Sequence, residues 1–232
     1  MRVFRTQAGP FAERPYYPDR VIETMCSDAL AELGFLPKEP EKVRIDRFIE
    51  KRFDVRVIYE PLAPNVLGFT EFGSNGVEAI HIAEPTTGSQ AEDRRISSTL
   101  AHEGGHGLMH SHLFALALDH GSLFDNDSDV TKSRVLCRDP SQVSAPRRSY
   151  DGRWWEFQAN RAIGALLMPK EPFLRFMQPF LETEGNLGMA TLQHQDRNDA
   201  IMAAAETFDV NPAVARIRVN TFFPDKGSQL TL

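Results

Sequence analysis

Cysteine, histidine and long apolar runs are all scarce in this chain of 232 residues. Its two cysteines, Cys26 and Cys137, lie far apart. That makes no disulfide framework and reads as reduced thiols in a reducing compartment. No apolar run approaches the roughly 20 residues that cross a bilayer as a helix. The first residues are interrupted by Pro10, Pro15 and Pro18 and lack the apolar stretch of a secretory leader. A cytoplasmic location, with no membrane partner, is therefore expected. A basic excess is also missing, since 26 Lys and Arg face 32 Asp and Glu, a net charge of −6. That balance argues against a protein that coats nucleic acid. What remains is an ordinary globular composition, 41% apolar and 25% charged. It suffices for one core and a small appended subdomain.

Residues 1–18 read as an irregular N-terminal extension. Asp19 reads as the N-cap of a helix whose apolar positions Ile22, Met25, Cys26, Ala29, Leu30 and Leu33 recur at helical spacing until Gly34. Beyond Pro37 and Pro40 a second helix is expected over residues 41–52. The period then changes: Val55, Val57 and Tyr59 alternate with polar residues, and Val66–Phe72 and Val77–Ile82 flank the turn signal Gly73-Ser74-Asn75-Gly76. Three short strands with tight links predict a small antiparallel sheet. Helical patterning returns from Glu92 through Leu113 or beyond, and again over Trp154–Met168, 171–182 and 197–218. Residues 119–150 have no period and read as a loop insertion near a cleft. The expected organisation is a main domain over 19–190 and a C-terminal helical subdomain over 191–232. Within the latter, Asn211 reads as an N-cap and Pro212 as a first helical residue. Either a DNA-binding helix-turn-helix or a plain helical hairpin fits there, and the nearby basic residues, Arg216 and Arg218, are few.

His102-Glu103-Gly104-Gly105-His106 fits H-E-x-x-H. On a helix, residues i and i+4 share a face one turn apart, so two imidazoles can hold one Zn²⁺. The residue after the first histidine projects beside the ion, where a carboxylate can take a proton from water. Ile96, Leu100 and Leu108 fall on the opposite side, giving an apolar back and a polar front. Gly104, Gly105 and Gly107 each cost about 1 kcal/mol in a helix relative to Ala. They mark a place where a backbone or a substrate approaches closely. A catalytic zinc has three protein ligands and an open position. His110 lies a further turn along the axis, out of reach of the same ion. His112 has the last position of a longer H-E-x-x-H-x-x-G-x-x-H pattern, but Met109 stands where that pattern needs glycine to turn the chain back. Glu156 shares a helical face with Asn160 and Ile163 and is the better third ligand, although spacing alone fits a surface charge equally.

Thr99-Leu100-Ala101-His102-Glu103-Gly104-Gly105-His106, then Glu156-Phe157-Gln158-Ala159-Asn160, then Ala165-Leu166-Leu167-Met168-Pro169, resembles the ImmA/IrrE family of metallopeptidases over residues 40–170. The resemblance implies an α+β, zincin-like fold with an active-site helix and a glutamate helix. It implies His102, His106 and Glu156 as zinc ligands, Glu103 as general base, and Asn160 orienting a ligand histidine. Peptide-bond hydrolysis is implied, with a helix-turn-helix repressor as protein substrate in stress or mobile-element regulation. The rival is a zinc-stabilised regulator that sequesters a repressor, or binds DNA through 197–218, without proteolysis. Two departures bear on specificity: the interval from His106 to Glu156 is long for that family, and Gly104 replaces a larger residue. Tyr150, His120 and Arg161 are unranked candidates to stabilise the oxyanion.

Overall fold

The computed structural model describes residues 2–5, 13–119, 130–131, 134–138, 153–184 and 189–225. Among these, seven α-helices and a five-stranded mixed sheet make an α+β fold. The N-terminal extension carries an antiparallel ribbon of β1 (Arg2–Arg5) and β2 (Glu13–Tyr16). Helix α1 (Asp19–Glu32) follows, burying Ile22, Cys26, Ala29 and Leu30. Asp19 is its first helical residue rather than its cap; Pro18 precedes it and no side chain caps the end. Helix α2 (Ile45–Phe53) starts later than its sequence pattern suggests, and buries Ile45, Phe48 and Ile49.

The antiparallel three-stranded sheet expected from the sequence is in fact mixed and larger. β4 (Val66–Gly73) and β5 (Gly76–Ala83) form the hairpin that the Gly73–Gly76 turn signals. β3 (Val57–Glu60) instead runs parallel to β5, on its other edge, in the order β3-β5-β4-β7-β6. The link over 61–65, which carries Pro61 and Pro64, reverses the chain, and β5 lies between β3 and β4. The last two strands, β6 (Val130–Thr131) and β7 (Arg134–Arg138), come from the 119–150 segment, and β7 pairs with β4. The rest of that segment, including His120 and Tyr150, lies outside the described residues.

Helix α3 (Gln90–Asp119) packs on this sheet, and α4 (Trp154–Leu167) packs across α3. One apolar cluster joins Leu30, Phe48, Ile80, Ile82, Leu100 and Leu166. The single helix expected over 171–182 is α5 (Lys170–Met177), a 3-10 turn over Gln178–Phe180, and β8 (Leu181–Glu184). Pro179 cannot donate within a helix, which ends α5 there. β8 pairs with β9 (Met189–Leu192). Helices α6 (Arg197–Thr207) and α7 (Pro212–Phe222) form a hairpin whose Ile201, Ala204 and Val219 enter the same cluster. Asn211 caps α7 as its sequence suggests, accepting from the Ala213 N–H at 2.9 Å. Arg218 is 3% exposed and donates to Glu23 and to the Met168 carbonyl, so it fastens the hairpin to the body. No helix among the described residues is long and apolar enough to cross a membrane.

Candidate metal centre

The centre lies where α4 crosses α3, and glycine sets how closely they approach. A Cβ placed on Gly105 would stand 2.8 Å from the Ala162 Cβ and 3.2 Å from the Ala159 Cα. Glycine on one helix and alanine on the other let the axes come together, which brings the α4 carboxylate over the α3 histidines. The close partner is thus a backbone of the chain itself. At Gly107 it is the Phe53 ring, while Gly104 has only ordinary contacts with Ile49 and Leu166. The polar front of α3 does not face water: His102 is 3% exposed and Glu103, His106 and His110 are 0%.

His102, His106 and Glu156 converge. The two Nε2 atoms are 3.1 Å apart. Glu156 Oε2 is 3.3 Å from His102 Nε2, and Oε1 is 3.5 Å from His106 Nε2. Donors bound to one zinc at 2.0–2.1 Å in a tetrahedron stand about 3.3 Å apart. The donor set therefore has the composition and spacing of a zinc site, and the residues fit the ion. His112 is exposed and stands outside this group, as Met109 in a continuing helix implies. Arg161 pairs with Asp19 and lies over the Phe157 ring.

Hydrogen bonds fix both imidazoles. Asn160 Oδ1 lies 3.2 Å from His102 Nδ1. Accepting that N–H leaves Nε2 with a lone pair for a cation. The support of His106 is longer. Gln158 Nε2 donates to the Pro15 carbonyl at 2.9 Å, which turns its Oε1 toward His110 Nε2, 2.9 Å away. His110 Nε2 is then the protonated nitrogen, and its Nδ1 accepts from His106 Nδ1 at 3.0 Å. Burial holds His110 down to about 3, so it stays neutral and can accept. The polarity ends on a bare His106 Nε2 facing Glu156. Thr70 on β4 fixes the remaining member, donating to Glu103 Oε2 at 2.6 Å.

The electrostatics divide the two carboxylates. Burial pushes Glu103 up to about 7, although His102 and the Thr70 bond pull it the other way. Its Oε1 is buried without a hydrogen-bond partner. Glu156 is held well below the usual carboxylate range: burial opposes this, but His106 and His102 overcome it. Burial alone would lower both histidines. It prevails at His106, whereas Glu156 raises His102. One acid is thus a committed anion among nitrogen donors, and its neighbour can take or give a proton near neutrality.

Four supporting groups escaped the sequence reading. His110 was visible as the next rung of the i+4 ladder, but its role requires Gln158 and Pro15. Thr70 lies 33 residues before Glu103. Such long-range pairs leave no periodic trace.

No family model matches the chain, and no curated protein does. Among solved structures, a Mycobacterium tuberculosis transcriptional regulator is similar at a TM-score of 0.49 and 14% identity, over 87% of this chain and 46% of that one. The chain thus spans less than half the length of that structure.

Proposed function

We propose that the chain is a zinc-dependent, zincin-like endopeptidase of the ImmA/IrrE kind. The observation that supports this most is the convergence of His102, His106 and Glu156 at 3.1–3.5 Å beside a buried, half-satisfied Glu103. A site meant only to hold a metal has no use for that extra acid. When bound, zinc supplies Lewis-acid activation of water and of the scissile carbonyl. His102, His106 and Glu156 would hold it, three protein ligands as hydrolytic zinc sites have. Glu103 Oε1 takes a proton from the attacking water, while Thr70 keeps Oε2 in place. The raised proton affinity of Glu103 suits it to deliver that proton to the leaving amine. Asn160 and the His110–Gln158 chain keep both imidazoles in the ligating tautomer. The substrate is a protein, a helix-turn-helix repressor encoded nearby, cut in the cytoplasm as part of stress or mobile-element regulation.

Substitution separates binding from chemistry. Glu103→Gln keeps the shape of the residue and removes its proton affinity. Zinc content is expected to survive while hydrolysis falls by about 10²–10⁴-fold. Glu156→Ala loses the metal and His112→Ala keeps it. Zinc content and cleavage rate are measured on the same preparations, with and without a chelator. A zinc-loaded Glu103→Gln variant that cleaves at the wild-type rate would sink the mechanism. A zinc-loaded wild type that binds the repressor without cutting it would favour the regulator instead.

A further inference from the structure

The 119–150 segment sends its described ribbon, β6 and β7, back onto the sheet beside the metal centre. β7 lies antiparallel along β4, the strand whose Thr70 holds Glu103. The register sets Cys137 opposite Gly68 and Val135 opposite Thr70. Directly opposed residues of an antiparallel pair share a face, as do residues two apart on one strand. Thr70 reaches α3, so Gly68 and Cys137 face α3 as well. Gly68 confirms the direction independently, because a Cβ there would stand 2.8 Å from the Thr99 Cγ2 on α3. Having no side chain, Gly68 also leaves room for its neighbour. The Cys137 sulfur lies within 4.8 Å of donor atoms of both His102 and Glu103, a second donor group that shares His102 with the first. In the same group, the wholly buried Glu103 keeps an oxygen without a partner.

We propose that Cys137 is a fourth, displaceable metal ligand. Its sulfur stands beside His102 and Glu103, outside the reach of His106 and Glu156; turned toward them, its thiolate closes the position left open by His102, His106 and Glu156, while β7 covers the β4 edge on which an extended peptide would pair. The inference rests on the metallopeptidase reading and adds a closed state to it. A hydrolytic zinc site needs one position open, and four protein donors make a closed one. On closing, the Cys137 S–H bond breaks, its proton goes to solvent and a sulfur–metal bond forms. On opening, that bond breaks and the thiol regains a proton. Extended peptides bind sheet edges by main-chain pairing, and β7 already does this on β4. The strand and its thiol therefore leave together when substrate enters.

The test uses the full chain loaded with Co²⁺ in place of zinc. Thiolate bound to Co²⁺ absorbs in the near ultraviolet, and Co²⁺ held by any ligands shows visible ligand-field bands. The thiolate band is expected in the wild type and in Cys26→Ala, and absent from Cys137→Ser. Zinc is expected to slow iodoacetamide modification of Cys137 by about tenfold or more relative to the metal-free chain, since a ligated thiolate is shielded. Peptide cleavage by Cys137→Ser is expected to rise several-fold. Visible bands without a thiolate band, together with unprotected Cys137, would overturn the proposal and leave the three-ligand reading standing. Failure of the wild type to bind either metal would overturn both.

Discussion

Gly105 shows how a single residue governs the centre. The three helical glycines signalled a close approach in the sequence, but not whether a substrate or the chain itself made it. The structure distinguishes them. A Cβ added at Gly105 would meet the Ala162 methyl and the Ala159 backbone at 2.8 and 3.2 Å, and backbone cannot swing aside. At Gly104 the nearest atoms to an added Cβ would be those of the Ile49 and Leu166 side chains, at an ordinary 3.4–3.6 Å. Gly105→Ala gains about 1 kcal/mol of helix propensity but overpacks a helix crossing, which costs about 1–3 kcal/mol. Net destabilisation of up to about 2 kcal/mol is expected, with weaker zinc binding as Glu156 moves off the histidines. Gly104→Ala, without the clash, is expected to stabilise by up to about 1 kcal/mol. Urea midpoints of the two variants decide it; equal shifts would mean that the crossing is not set at Gly105. The three converging side chains were legible because His102 and His106 obey a helical period and Glu156 opens a recognisable run. Gln158, in that same run, was not legible as a support, since its partners His110 and Pro15 are 48 and 143 residues away.

At the scale of elements, periodicity located most helices, and non-local pairing was where it failed. The parallel pairing of β3 with β5 and the joining of β7 to β4 both depend on chain crossing a sheet, which alternation along one strand does not encode. Helix α3 is also anchored at its start, where Ser89-Gln90-Ala91-Glu92 fits the S-x-x-E capping pattern and the Glu92 N–H donates to Ser89 Oγ at 3.3 Å. Glu92 accepts from the backbone N–H groups of Thr86, Thr87 and Gly88 at 2.8–2.9 Å. Those bonds, that from Thr86 foremost, lower its carboxyl to about 2. In the unfolded chain glutamate titrates near 4.3. A depressed folded value means stabilisation that is full above the unfolded value and lost as pH falls through the folded one. The contribution of Glu92 is therefore expected to fade between about pH 5 and pH 2. Glu92→Gln removes it at all pH values. In thermal melts the variant should lie below the wild type at pH 7 and converge on it at about pH 2. A gap that stays constant with pH would show that the carboxylate charge is not what holds the loop.

Across the whole molecule, the C-terminal helices are tied to the body at points distant in sequence. Asp209 accepts from Lys42 at 2.6 Å and from Arg94 at 2.9 Å, and Arg218 reaches Glu23. The core spans these helices and the helices of the centre, so unfolding of one part is expected to carry the other. A metal held by α3 and α4 should then stabilise the entire fold by mass action, because the unfolded chain does not bring His102, His106 and Glu156 together. At a free zinc concentration 100 times its Kd the gain is about 2.7 kcal/mol, or about 5–10 °C in Tm for a chain of this size. Thermal melts with zinc and with a chelator measure it. Glu103→Gln should show the full shift, since it removes no ligand. Glu156→Ala should show almost none. If Glu156→Ala gains as much as the wild type, Glu156 does not hold the ion and the proposed ligand set is wrong. If the shift appears in one of two separate transitions, the core does not couple the C-terminal helices to the centre.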